Sequence, residues 1–162
     1  MEQMAARGMR MAYWTYVLGA VLMHFVAPSA LPRMGSGIDW VAPSLWLLLV
    51  VTYFVERFGA MHLQLYSTTN DIRWHVASGI SGSLSLLVSL IALPHADVYA
   101  FPVGILVGNL AFYAWYGPWK VKTSFDFDFW RLQRSTVMLP ACCLAALCSL
   151  DFLVLAWGLS PA

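Results

Sequence analysis

Charged residues are scarce in this chain. Lysine, arginine, aspartate and glutamate make up 10% of its 162 residues, and 60% of the residues are hydrophobic, whereas about 25% charged residues is usual for a soluble domain. Such a chain cannot cover a folded core with a water-soluble surface. The formal net charge of +1 also excludes nucleic acid as a partner, because nucleic-acid binding requires lysines and arginines clustered on one face.

Cysteine is also rare, and its positions exclude a disulfide framework. Cys142, Cys143 and Cys148 all lie within one apolar run. Their number is odd and their spacing is not that of a metal site, so we expect them to be small packing residues. The chain also lacks a P-loop, a G-x-S-x-G sequence, a kinase signature and an H-E-x-x-H sequence. The sequence therefore predicts neither a bound metal nor an enzyme of these classes.

Long apolar runs, by contrast, are abundant. Five are bounded by charge, proline or glycine, and each approaches the roughly 20 residues that a helix needs to cross a bilayer. Because the backbone finds no water in hydrocarbon, each run is expected to be a helix. The sequence thus predicts an all-α helix bundle that forms a single transmembrane domain over 1–162. The predicted spans are about 11–31, 40–58, 75–93, 98–116 and 136–159.

Lysine and arginine are distributed unevenly between the connections. If all five runs cross the membrane, Arg33 lies on one side and the other eight of the nine basic residues lie on the opposite side. Since cytoplasmic loops retain lysine and arginine, the N-terminus is predicted inside and the C-terminus outside. Arg7 and Arg10 precede the first run as in a secretory signal, but the run is longer than a typical signal core. We therefore expect no cleavage.

Four glycines are candidates for helix packing. Gly79 with Gly82 lies near the start of the third span, and Gly104 with Gly108 lies within the fourth. Small residues at such spacings let helices approach closely. Gly104 is expected to tolerate a leucine less well than Gly117, which lies at the end of its span.

Two ionisable residues fall inside predicted spans, His24 in the first and Asp151 in the fifth. Such residues suggest function, and at similar depth the two would form a proton relay or part of a polar cavity. Alternatively, His24 is neutral and hydrogen-bonded in the bundle while Asp151 reaches the outer interface. A haem between histidines is not expected, because His62 and His75 are predicted to lie too near water. The sequence therefore predicts no cofactor.

The connection between the second and third spans is the most polar part of the chain. The second helix is expected to continue past the membrane and to end near 67–70. Its arginines could bind an anionic headgroup or a sugar phosphate through bidentate contacts; alternatively, they serve only to orient the chain. The connection at 120–134 mixes aromatic and charged residues, which predicts a segment lying at the membrane interface.

Three runs of sequence carry a family resemblance. E-R-F-x-A-x-H-L-Q-L-Y-S-T-T-N at 56–70, W-H-x-x-x-G at 74–79 and Y-A-F-P-V-G-I-L-V-G-N-L-A-F-Y at 99–113 resemble the C-terminal lobe of polysaccharide and O-antigen flippases of the MOP superfamily. The resemblance implies movement of lipid-linked oligosaccharide across the bacterial inner membrane by alternating access. Carried over by position, the substrate-binding candidates are Arg57, His62, Tyr66, Asn70 and Arg73.

The family's transporters have far more spans, arranged in two pseudo-symmetric lobes. The chain would therefore act as a homo-oligomer or beside a larger membrane partner, or be a remnant without transport. Three hypotheses stand: a flippase-like transporter of a lipid-linked glycan, a small non-catalytic assembly subunit of a larger membrane complex, and a membrane enzyme acting on lipid. A polar cavity at the junction of spans two and three would favour the first, a dry bundle with an apolar patch the second, and paired titratable groups the third.

Overall fold

The computed structural model describes residues 2–35, 40–71 and 74–156, with the backbone alone at 154–156. Every regular element within these ranges is helical, which confirms the predicted all-α class. Short 3₁₀ and π-helical turns join the longer helices. The helices are α1 (Glu2–Arg33), α2 (Pro43–Tyr66), α3 (Trp74–Ala96), α4 (Ala100–Gly108), α5 (Ala114–Ser124), α6 (Phe129–Gln133) and α7 (Leu139–Ala156).

By length and composition, four helical stretches of the described chain can cross a membrane, which indicates a membrane protein. The sequence predicted five spans. The third and fourth predicted spans fall within one stretch of 51 residues, because only a 3₁₀ turn at Asp97–Tyr99 separates α3 from α4. The four stretches are Glu2–Arg33, Pro43–Thr69, Trp74–Ser124 and Phe129–Leu153.

The 51-residue stretch folds back on itself. At Asp97 the backbone φ is 47°, in the left-handed region. Beyond this turn, a Cβ atom added to Gly104 would lie 2.6 Å from the carbonyl oxygen of Ser85, and one added to Gly108 would lie 2.6 Å from that of Ser81. Because residue numbers rise along α4 while those of the facing serines fall, α3 and α4 are antiparallel and touch at backbone distance.

α2 and α5 also meet at backbone distance. A Cβ atom at Gly59 would lie 2.7 Å from the carbonyl oxygen of Tyr113, and one at Gly117 would lie 2.8 Å from that of Gly59. Gly117 is thus closely packed like Gly104, because α5 continues along α2 beyond the predicted span, and the prediction that Gly117 tolerates a leucine better than Gly104 stays a prediction. Around Gly79 and Gly82, in contrast, no atom lies within 4 Å of an added Cβ, so within the described chain these two glycines mark no close approach.

α1 packs on α2 through larger side chains. Met9, Tyr13 and Val17 are buried at helical spacing along α1. The ring of Tyr13 lies 5.7 Å from that of Phe54 on α2. Tyr16 donates a hydrogen bond of 2.7 Å to the carbonyl oxygen of Val50. This side of α2 is thus held by interlocking aromatic and aliphatic side chains.

α2 ends where the sequence predicted. A 3₁₀ turn at Ser67–Thr69 follows the helix, and Asn70 adopts the left-handed conformation with φ 66°, as asparagine at a turn tolerates. Trp74 Nε1 then donates to Ser67 Oγ over 2.9 Å. The indole therefore ties the first residue of α3 to the end of α2.

Candidate functional site

The predicted substrate-binding residues do not converge on one site. Arg57 and Tyr66 are nine residues apart, roughly two and a half helical turns, so they lie on opposite faces of α2. Arg57 and Asn70 are exposed, whereas His62 and Tyr66 are buried. Arg73 lies outside the described residues.

His62 is fully buried, with 0% of its surface exposed, although the sequence predicted a position near water. Its Nδ1 lies 2.7 Å from the carbonyl oxygen of Phe58, and its Nε2 lies 2.5 Å from the amide nitrogen of Gln133. Since a carbonyl only accepts, Nδ1 carries the proton and Nε2 accepts from Gln133. The ring is covered because α6 brings Gln133 and Phe129 against α2. With both nitrogens engaged, His62 is not available to a ligand.

Tyr66 is likewise engaged within the protein. Its hydroxyl donates to a carboxylate oxygen of Asp71. Lys120 Nζ lies 5.4 Å from the centre of the Tyr66 ring, 5.8 Å from that of Tyr116 and 5.1 Å from that of Trp119. Such distances are those of cation–π contacts. Tyr66 therefore holds α5 against α2 instead of facing a cavity.

Arg57 lines a mainly apolar groove of about 430 Å³ between α1 and α2. Tyr16, Met23, Trp46 and Tyr53 are among the side chains that form its walls. One cationic group beside an apolar groove is the pattern expected for an amphipathic ligand, whose acyl chain lies in the groove while its anionic group contacts the guanidinium.

A depression of about 260 Å³, open to the surface of the described chain and lined by both polar and apolar atoms, lies on another face of α2, between α2, α3 and the π-helical turn that joins α4 to α5. We call it the polar cavity after its buried polar groups. Ser81 Oγ and Asn109 Nδ2 are buried there without a hydrogen-bond partner among the described residues. An unpaired buried polar group costs about 1–3 kcal/mol, so these atoms favour water or a polar ligand in the cavity. Its walls are Glu56, Ser78, Ser81, Gly82, Ser85, Ile105, Asn109 and Tyr113.

The cavity forms where a closely packed contact between α3 and α4 ends. Serines recur every three or four residues on α3, at positions 78, 81, 85 and 89, and so share one face. Gly104 and Gly108 pack against this face. The residue after Gly108 is Asn109, and there α4 passes into the wider π-helical turn Asn109–Tyr113. Such turns are common at functional sites. Sequence analysis missed the cavity, although the serine spacing and an asparagine within an apolar span signalled it.

The two ionisable residues predicted inside spans are brought together. His24 Nε2 on α1 lies 3.2 Å from Asp151 Oδ2 on α7, and the two side chains are 12% and 18% exposed. On α1, His24 lies 14 residues beyond Arg10, roughly 21 Å along the helix axis. The pair links the first and last helical stretches of the described chain.

No group of three histidine, cysteine, aspartate or glutamate side chains in the described ranges is placed to hold a metal ion. Comparison of the chain with protein-family models, with curated proteins and with solved structures finds no match. What these surfaces can bind is therefore argued from their own side chains. The polar cavity offers a carboxylate, hydroxyls and an amide, and the apolar groove offers a guanidinium.

Proposed function

We propose that this chain is a transporter-like membrane protein that moves an amphipathic substrate of the lipid-linked oligosaccharide or polysaccharide class. The observation that carries the proposal is the polar cavity between α2, α3 and the π-helical turn, with its unpaired Ser81 and Asn109 atoms. Buried polar groups without partners are costly inside a membrane. A bundle that served only as packing material would gain nothing from them.

Glu56 and Arg57 are each suited to bind a different part of such a substrate. As consecutive residues on α2 they diverge by about 100°, so Glu56 lines the polar cavity and Arg57 lines the apolar groove. Neither forms an ion pair with another residue of the described chain. The carboxylate and hydroxyls suit sugar hydroxyls, and the guanidinium beside the groove suits a lipid phosphate and its chain.

A direct test uses proteoliposomes that contain a fluorescent polyprenyl diphosphate oligosaccharide, with translocation followed by quenching from one side. We expect Glu56→Gln and Ser81→Val to slow translocation about tenfold, the effect of losing one hydrogen bond to a charged or buried partner. Ser83→Val is the matched control, because Ser83 is exposed on α3 and does not line the cavity. Wild-type protein no faster than empty liposomes would contradict the proposal.

We further infer five transmembrane spans with the N-terminus in the cytoplasm, in the bacterial inner membrane. The antiparallel pair α3 and α4–α5 supplies two spans from one helical stretch. With five spans, eight of the nine lysines and arginines lie on the cytoplasmic side.

Cysteine labelling tests this arrangement. Met34 and Ser124 are both exposed and belong to opposite sides in the five-span arrangement. On a background in which the three native cysteines are alanine, an impermeant maleimide should label Met34→Cys in intact spheroplasts and Ser124→Cys only after permeabilisation. If both positions react in intact spheroplasts, the five-span arrangement is wrong.

A second candidate function is that of a non-catalytic assembly subunit. Gly79 has no atom of another helix within 4 Å of an added Cβ, and Leu86 and Leu90, on the same side of α3, are exposed. Such a face can receive a helix from a second copy or from a larger membrane partner. Gly79→Leu should then dissociate the complex on native gels while leaving the thermal stability of the monomer unchanged. An intact complex would count against this role.

A further inference from the structure

Two adjoining depressions lie where α1 begins and where α6 passes into α7, with volumes of about 590 and 630 Å³. Arg7 and Arg10 line the first. Arg131 and Arg134 line the second. The four arginines thus come from the first and the last helical stretches of the described chain, and we call the surface formed by the two depressions the arginine surface.

Arg10 joins the two depressions. Its Nε donates a hydrogen bond of 2.9 Å to the carbonyl oxygen of Ser135, 125 residues away in the sequence. Ser135 lies in the π-helical turn Arg134–Met138, where its partner five residues ahead would be residue 140. That residue is Pro140, which has no N–H, so the carbonyl is open to a side-chain donor. The contact fixes Arg10 beside Ser135, which lines the second depression.

The positive charge of the arginine surface is not neutralised within the described chain. None of the four arginines forms an ion pair there. Asp128 is the one acidic residue among those that line the two depressions. Its carboxylate accepts a hydrogen bond of 3.1 Å from the backbone N–H of Arg131 and so caps α6. Four cations against one carboxylate leave a surface that attracts an anion.

Exposed apolar side chains border the arginine surface. Trp130 is 65% exposed, and tryptophan is typical of the level of lipid headgroups. Met11 on α1, Met138 at the end of the π-helical turn Arg134–Met138 and Leu139 at the start of α7 are also exposed. Cations that adjoin apolar side chains in this way match a ligand whose phosphate lies at the water interface and whose acyl chains lie along the helices.

We propose that the arginine surface binds the phosphate of an anionic membrane phospholipid, with Arg131 and Arg134 as its principal ligands. Orientation of the chain alone requires only that basic residues lie on the cytoplasmic side. It does not require that Arg10 be held by a hydrogen bond to a residue of the depression that Arg131 and Arg134 line. The planar guanidinium donates paired hydrogen bonds to phosphate oxygens. This site is distinct from the polar cavity, and its existence does not depend on the transport proposal.

Thermal unfolding of the purified full-length protein in neutral detergent tests the proposal. Phosphatidylglycerol, phosphatidylcholine and inorganic phosphate are titrated in parallel. We expect phosphatidylglycerol to raise Tm at concentrations at which the other two have no effect. Arg131→Gln and Arg134→Gln should each raise the half-maximal phosphatidylglycerol concentration about tenfold, as expected for loss of a charge-assisted hydrogen bond.

Lys122→Gln is the matched control. Lys122 is exposed on α5 and lines neither depression. The variant therefore removes one positive charge, as the arginine variants do, but from outside the arginine surface. Its half-maximal concentration should equal that of the wild type. Each glutamine variant keeps seven of the eight basic residues on the predicted cytoplasmic side, so insertion should persist. An equal change in all three variants would overturn the site in favour of diffuse surface charge. Stabilisation by inorganic phosphate equal to that by phosphatidylglycerol would overturn the assignment to a lipid.

Discussion

The two sides of α2 are packed in different ways. On the side toward α3–α5, which we call the glycine side, the backbones of α2 and α5 meet at Gly59 and Gly117, and the backbones of α3 and α4 meet at Gly104. Toward α1, aromatic and aliphatic side chains such as Tyr13 and Phe54 interlock. Lipid chains are as apolar as leucine, so helices in a membrane gain most from close approach and from hydrogen bonds. The glycine side cannot accept an added atom, whereas the aromatic side can lose single groups at modest cost.

The largest expected effect breaks the glycine side. Gly104→Leu should destabilise the protein by more than about 3 kcal/mol, because the new side chain would collide with backbone atoms of Ser85 and Ser89 on α3 as well as with the Ser89 side chain, and the backbone cannot move aside. Gly79→Leu is the matched control and should change stability by less than about 0.5 kcal/mol, since the space around Gly79 is open. Thermal unfolding in detergent measures both. Similar losses in the two variants would show that leucine itself, and not the close contact, is harmful.

A middle-sized effect concerns the buried pair that joins α2 to α6. Gln133→Leu should cost about 1–2 kcal/mol, because it leaves the buried Nε2 of His62 without a donor. Gln64→Leu is the control, since Gln64 is exposed on the same helix as His62. In the double variant His62→Phe/Gln133→Leu, part of the loss should be recovered, because both polar partners are then gone. If the loss in the double variant equals the sum of the losses in the single variants His62→Phe and Gln133→Leu, the two residues are not coupled.

The smallest effect separates two neighbouring tyrosines on the aromatic side. Tyr16→Phe should cost about 1 kcal/mol, because the hydroxyl donates to the carbonyl oxygen of Val50. Tyr13→Phe should be neutral or slightly stabilising, since the Tyr13 hydroxyl is buried without a partner among the described residues. Chemical or thermal unfolding of the two variants side by side resolves the difference. The reverse order would mean that the Tyr13 hydroxyl has a bound water as its partner.

The all-α class and the end of α2 could be predicted from sequence because both depend on local properties. Hydropathy requires helices in lipid, and the S-T-T-N run at 67–70 has the chemistry of a turn. The burial of His62 could not be predicted, because Gln133 is 71 residues away and hydropathy does not show which helices face each other. The helical periodicity of α2 alone could have shown that Arg57 and Tyr66 lie on opposite faces of the helix. The polar cavity could not be predicted, because the serine spacing on α3 indicates a packed face only once Gly108 is known to lie against it.

The π-helical turn Asn109–Tyr113 constrains the length of the chain as well as its shape. A π-type hydrogen bond encloses one residue more than an α-type bond, so this turn holds a residue that a continuous helix would not need. Because the wide turn absorbs that residue locally, deletion of the exposed Leu110 would let α4 run straight into α5 as an α-helix with little rotation of the residues that follow. Gly117 would then still face the backbone of Gly59, whereas Asn109 would lose the position that the wider turn gives it. The eighth residue between Gly108 and Gly117 therefore serves the polar cavity and not the contact between α2 and α5.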